Sequence, residues 1–394
     1  MVLAGAFALA TETLSKRDRR PGSDAASAIF ATGAIAALAL ALSLALEKGW
    51  LTVALALMVP GIAWVAEQRA WPALRWLAAA VTMAVLGRIF WDPRIVGDAI
   101  GTAPIFNWLL YGYGVPAASF LLAGHMLRRH ADDVPARMVD AAAILFTVLL
   151  IVLEVRHYLT GDPYGSASPL AETALDVSLL LAVVIGLERL RVKSGSVIHD
   201  LGARLLAAIV FVMIVFSLGV SDNPLFTGES VGGPFINLVL LGYGLPAVLA
   251  GILALLTYRT RPYWYWATAA ATALGLALAY LSLEIRTLYH GPVLTGGATS
   301  DAEQYTYSAV WLLFGVALLA AGILRRSLTL RIASAAVVML TVLKVFLIDM
   351  SDLTGIYRAL SFLGLGAVLI GIGWFYQRLL FPRPPETTEP KPAE

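Results

Sequence analysis

The residues best suited to chemistry are few, and they recur. Leu153-Glu154-Val155-Arg156 and Gly161 return 130 positions later as Leu283-Glu284-Ile285-Arg286 and Gly291. On a helix, a Glu and an Arg two residues apart face different ways, so Glu154 with Arg156, and Glu284 with Arg286, are poor partners and must find mates elsewhere. A charge at the centre of a membrane helix costs at least ~2.5–3.5 kcal/mol, which interhelical ion pairs with Arg88, Lys344 or Arg358, at a similar depth, would offset. The plainer and preferred reading is that these side chains cap helices at headgroup level and snorkel.

A second recurring motif bears on backbone rather than charge. Pro104, Asn107, Gly112, Tyr113, Gly114, Pro116 and Ala117 recur at the same offset of 130 as Pro234, Asn237, Gly242, Tyr243, Gly244, Pro246 and Ala247. Each Gly-Tyr-Gly-x-Pro run falls within an apolar segment. Proline removes a donor and clashes with the preceding turn, while glycine lets a neighbouring backbone approach, so both helices are expected to kink or unwind midway along their spans. Breaks at corresponding positions of two repeats are the best sequence pointer to a solute site in transporters. Tight helix crossing through small residues is the competing explanation.

The densest polar cluster is His157, Tyr158, Asp162 and Tyr164, with Glu172 and Asp176 one turn apart behind it. Such groups could hold a metal or pass a proton. However, the second copy replaces His157 by Thr287 and Tyr158 by Leu288, and no HExxH, phosphate loop or Ser–His–Asp order appears. With no cysteine in the chain, thiolate ligands are excluded as well. No catalytic residue, metal or cofactor is therefore expected, and the cluster reads as a structured, solvated loop.

The elements that must position these residues follow from composition. The 394 residues are 59% hydrophobic and 14% charged, with a mean hydropathy of +0.79. Such a chain is not a soluble enzyme, and its net charge of +2 offers no field for nucleic acid. A membrane helix needs about 20 mostly apolar residues. Stretches of that kind run at 27–47, 50–66, 71–91, 104–127, 138–158, 172–190, 202–220, 234–257, 263–285, 305–324, 329–348 and 356–377, which predicts an all-α protein with about twelve spans.

Most of the 28 Lys and Arg residues precede the first span or follow an even-numbered one, which predicts cytoplasmic N- and C-termini in a bacterial inner membrane. Aromatic runs at Tyr263–Trp266 and Phe90–Trp91 read as interfacial belts. The offset of 130, with fainter echoes in Leu46-Glu47, in Arg88-Ile89-Phe90 against Lys344-Val345-Phe346, and in Gly364-Leu365-Gly366, divides the chain into three parallel four-helix repeats: 27–128, 129–258 and 259–380. A half-helix and basic segment (1–26) precede them, and a disordered Pro- and Glu-rich tail (381–394) follows.

Near the C-terminus, Leu340-Thr341-Val342-Leu343-Lys344-Val345-Phe346-Leu347-Ile348-Asp349, then Gly355-Ile356-Tyr357-Arg358-Ala359-Leu360-Ser361-Phe362 and Gly364-Leu365-Gly366, resemble a bacterial family of polytopic membrane proteins catalogued as domain of unknown function 2339. Members of that family are typically longer, so the chain resembles a C-terminal portion or a short member. The resemblance implies no activity and transfers no functional residue.

Three function classes remain, and the residues rank them. Parallel repeats, paired helix breaks and recurring charges favour a transporter or channel-like protein for a small solute. Its site would draw on the two Asn/Gly-Tyr-Gly-x-Pro motifs, the two Glu/Arg motifs, Arg88 and Lys344. The absence of catalytic motifs favours a non-catalytic envelope scaffold or assembly partner as the alternative. A membrane enzyme acting at the outer face comes last. The bilayer is a partner in every case, with a small solute or another membrane protein beside it.

Overall fold

The computed structural model describes residues 2–16, 23–46, 48–69, 71–91, 100–165 and 167–349, with six further positions between 363 and 374. Among these residues the chain is helical, without a named strand, and Ser230 and Val293 form an isolated antiparallel bridge. The helices are α1 (Val2–Ser15), α2 (Ser23–Ala45), α3 (Lys48–Gln68), α4 (Pro72–Trp91), α5 (Val115–Arg128), α6 (Val134–Thr160) and α7 (Pro169–Ser194). They continue with α8 (Val197–Val212), the short α9 (Pro224–Thr227), α10 (Leu245–Thr257), α11 (Tyr263–His290), α12 (Asp301–Leu324) and α13 (Leu328–Lys344).

Among the described residues, ten helical stretches are long and apolar enough to cross a membrane. They coincide with ten of the twelve expected spans. The expected span at 104–127 is helical only from Trp108 to Arg128, and its Tyr, Gly, Pro and His residues keep it outside the ten. The one at 356–377, with Arg358 and the Gly364-Leu365-Gly366 echo, lies outside the described residues but for isolated positions, and Glu47 is also outside them.

The ends of these helices follow from local chemistry. Asp133, Ser168, Ser300 and Ser327 cap α6, α7, α12 and α13 by accepting a backbone N–H of the first turn, and prolines sit in the first turns of α6 and α7. Gly161 and Gly195 close α6 and α7 with φ of 76° and 65°, a conformation that costs glycine least.

The described residues of 1–223 with 249–270 form one compact unit, and those of 224–248 with 271–394 form a second. In the first, α3 packs against α4 and α5, α5 against α6, and α6 against α7, while α7 lies along α8. Leu74, Val85, Phe120 and Phe146 are fully buried there, and the rings of Phe120 and Phe146 meet edge to face at 5.3 Å. In the second unit α12 packs along α13.

The Arg-rich helix ends of the first unit are pinned by paired charges. Arg75 donates two hydrogen bonds of 2.6 Å to Asp133 and further bonds of 3.0 Å to the carbonyls of Leu127 and Ala131, closing the last turn of α5. Burial raises the Asp133 pKa, but the Arg75 bonds and the Ala136 N–H outweigh it and hold the carboxyl below the usual range. Arg261 joins Glu188 at 2.8 and 2.9 Å and also reaches Asp200, so its pKa rises despite the desolvation that opposes it.

Candidate functional site

Both Gly-Tyr-Gly-x-Pro motifs open their helix in one way. Leu110–Gly114 and Leu240–Gly244 are π-helical, and the N–H of Val115 reaches the carbonyl of Leu110 as that of Leu245 reaches Leu240. Pro116 and Pro246 supply the cause. Neither can donate to the carbonyl four residues back, and the ring presses on that turn, so the ladder widens by one residue instead of breaking. The widened turns lie near the start of each helix, which begins at Trp108 or Leu238, and not midway along it as expected. Residues 104–107 and 234–237 are bent rather than helical, which shortens the helix from its N-terminal side.

The last residue of each opening, a glycine, is closely approached by neighbouring side chains. A Cβ on Gly114 would stand 2.9 Å from Leu110 Cδ1 and 3.4 Å from Leu150; one on Gly244 would stand 2.8 Å from Leu240 Cδ1 and 3.3 Å from the Tyr280 ring. Tyr113 and Tyr243 are each 2% exposed. The Tyr113 ring packs against Phe146, 6.1 Å between centroids.

The two glutamates meet neither Arg88 nor Lys344; each meets the asparagine of the preceding motif. In the first unit, Asn107 Nδ2 donates to Glu154 Oε2 at 2.9 Å, while its Oδ1 accepts the N–H of Leu109 at 2.7 Å. In the second, Asn237 Nδ2 donates to both oxygens of Glu284 at 3.0 and 3.2 Å, and its Oδ1 accepts the N–H of Leu240 at 2.9 Å. Ahead of each asparagine the backbone turns through positive φ at a non-glycine residue, 69° at Ile105 and 67° at Phe235. That strained turn, held by a bond from residue 106 to Pro104 and from residue 236 to Pro234, brings the asparagine back over the glutamate.

The arginines also find mates on the next helix. Arg156 donates through Nε at 2.9 Å, and through Nη2, to Glu172 Oε1. Arg286 reaches Glu303 Oε1 at 3.2 Å and the carbonyls of Leu294 and Gly296 at 3.0 and 2.8 Å. Glu172 and Glu303 correspond one residue off the main offset, because the second connecting loop is one residue longer. The glutamates thus pair with amides rather than with the expected cations, and the ion pairs belong to the arginines alone. Arg88 donates to Thr52 Oγ1 at 3.1 Å. Lys344 bonds Asp349 at 2.6 Å, Ser308 at 2.8 Å and the Gln304 carbonyl at 3.0 Å.

Of the polar cluster, His157 joins the first node. Its Nε2 lies 2.9 Å from the Gly101 carbonyl, which can only accept, so Nε2 carries the proton and Nδ1 faces Asn107 Nδ2 at 3.4 Å. Tyr158, Asp162 and Tyr164 are exposed, and among the described residues no group of three or more metal-ligating side chains converges.

The two nodes differ in how fully they are satisfied. Glu284 Oε1 accepts the Phe235 N–H as well as Asn237, and Glu303 accepts Arg286, His290 at 2.8 Å and the Tyr307 hydroxyl at 2.7 Å. In the first unit, Glu154 Oε1 and Asp176 Oδ1 are buried without a hydrogen-bond partner. Beside the second node an open groove of about 560 Å³ runs between Ser230–Pro234 and Thr287–Pro292, without a charged side chain in its walls.

The family profile of predicted membrane proteins designated DUF2339 matches residues 1–379. The chain belongs to this family. No curated protein and no solved structure matches it. What the sequence did not reveal is the identity of each mate: Asn107 and Asn237 stand 47 residues before Glu154 and Glu284, and the offset of 130 marked only that the two copies correspond.

Proposed function

We propose that this DUF2339 chain is a transporter or channel-like protein for a small solute, built from three parallel four-helix repeats with both termini cytoplasmic. The observation that carries this reading is the spare acceptor capacity of the first unit. A buried carboxyl oxygen without a partner is costly, and in a membrane such groups persist where they serve a passing ion or solute. Glu154 Oε1 and Asp176 Oδ1 are two such atoms, whereas Glu284 and Glu303 are satisfied by their own surroundings. The solute they suit presents hydrogen-bond donors or positive charge. Matched π-helical openings beside both nodes support the reading, because a widened turn is a common adaptation at functional sites.

A non-catalytic scaffold is the second reading, favoured by the near-complete burial of Tyr113 and Tyr243 in packed surroundings. The cysteine-free chain separates the two. Tyr113→Cys and Tyr243→Cys are tested with a membrane-impermeant thiol reagent, with Asp162→Cys and Arg129→Cys as outer and inner controls. Transport predicts reaction at Tyr113→Cys. Silence at both tyrosine positions, with the controls reacting from opposite sides, overturns transport in favour of the scaffold.

A further inference from the structure

Asp176 is the group that neither node explains. It lies two turns into α7, is 6% exposed, and one of its oxygens has no hydrogen-bond partner. Arg156, on the packed helix α6, commits two donors to Glu172 Oε1, so it is already engaged one helical turn away. Glu172 itself faces Asp176 at i and i+4 on one helix face, where a second negative charge would repel the first.

The second unit shows what this position requires. Glu303 stands where Glu172 stands, paired with Arg286 as Glu172 is with Arg156, and four residues beyond it comes Tyr307 in place of Asp176. Tyr307 donates its hydroxyl to Glu303 Oε1 at 2.7 Å. The position is that of a hydrogen-bond donor to an arginine-paired glutamate. A carboxylate cannot fill it, since it only accepts; a carboxylic acid can.

We propose that Asp176 is a proton-binding site: it carries a proton and presents it to Glu172, as Tyr307 presents its hydroxyl to Glu303. Unlike a phenol, a carboxylic acid releases that proton within the accessible pH range, so the first unit holds an exchangeable proton where the second holds a fixed one. The inference rests on the transport reading only in naming the proton as the ion that this site would handle. On α6, which packs against α7, Glu154 accepts from Asn107 through Oε2 and His157 bonds the Gly101 carbonyl. Asp222, after the π-helical turns that follow α8, accepts from Thr173 at 2.7 Å and from Ser221 at 2.9 Å, and His199, Asp200 and Arg204 belong to the start of α8, beside the far end of α7.

Infrared difference spectroscopy on the full chain in lipid, wild type minus Asp176→Asn, tests this. The expected result at neutral pH is a carbonyl stretch of a protonated carboxyl that is present in wild type, missing in the variant and lost as pH is raised. Glu172→Gln removes the neighbouring charge and is expected to move that loss to lower pH. A carboxylate band alone at neutral pH, or a protonated band that survives Asp176→Asn, overturns the proposal. Because Asn keeps a donor at this position, the variant is expected to stay folded, checked by its thermal midpoint. The spectrum reads protonation whether or not a solute moves, so failure here and failure of thiol labelling at Tyr113→Cys are separate results.

Discussion

The nodes around Glu154 and Glu284 are built from the same parts and finished differently. Each has a positive-φ turn, an asparagine anchoring a π-helical opening, a glutamate near the end of a long helix, and an arginine paired with a glutamate at the start of the next. The second adds the Phe235 N–H on Glu284 and the Tyr307 and His290 bonds on Glu303. The first substitutes His157 for Thr287 and Asp176 for Tyr307, and leaves two acceptors open. Shared geometry therefore does not imply a shared role. A saturated polar node holds helices together, whereas an unsaturated one retains capacity for something that comes and goes.

The largest effect that would break this contrast is at the glutamates. Glu284→Ala strands the Asn237 amide and the Phe235 N–H, and is expected to cost about 2–3 kcal/mol, against about 1 kcal/mol for Glu154→Ala, which strands one amide already shared with His157. Thermal unfolding midpoints in detergent provide the measurement. Equal losses would mean that the two nodes are equally structural.

A smaller effect sharpens the same contrast at the following helix. Tyr307→Phe removes a donor from Glu303 and is expected to cost about 1 kcal/mol, while Asp176→Asn keeps a donor and is expected to change stability by under about 0.5 kcal/mol. Smaller still is the difference between the glycines. Gly244→Ala meets the rigid Tyr280 ring and Gly114→Ala the more yielding Leu150, so the former is expected to lower the unfolding midpoint further, by about 0.5 kcal/mol.

The least effect lies at the Arg-rich end and serves as a control. Asp133 has a depressed folded pKa, so its stabilising contribution is complete above its unfolded value of about 3.9 and is lost as pH falls through the folded one. Asp133→Asn is expected to flatten the stability profile only below about pH 4. A profile unchanged in that window would remove the Arg75 pair from the account.

Much of the architecture was legible in the sequence because a membrane leaves the backbone little choice: apolar runs of sufficient length must form helices that satisfy their own hydrogen bonds. Hydropathy accordingly located the ten described spans, and an offset of 130 located both motifs. The separation of Glu and Arg by two residues also announced that each needed a partner elsewhere. Hydropathy could not show that residues 104–107 and 234–237 leave the helix, since Ile105, Phe106, Phe235 and Ile236 are as apolar as the helices that follow. Nor could charge matching find the mates of Glu154 and Glu284, because those mates are uncharged amides carried by a turn.

By itself, then, the sequence determined where the long apolar helices lie and which residues of the two motif copies correspond, since both depend on composition and spacing along the chain. Only the tertiary structure decided that Asn107 meets Glu154, that Arg156 meets Glu172, and that one node is saturated while its counterpart is not. Those outcomes depend on where a strained turn returns the backbone and on which N–H or hydroxyl then comes within about 3 Å of a carboxylate, a distance that sequence separation does not encode.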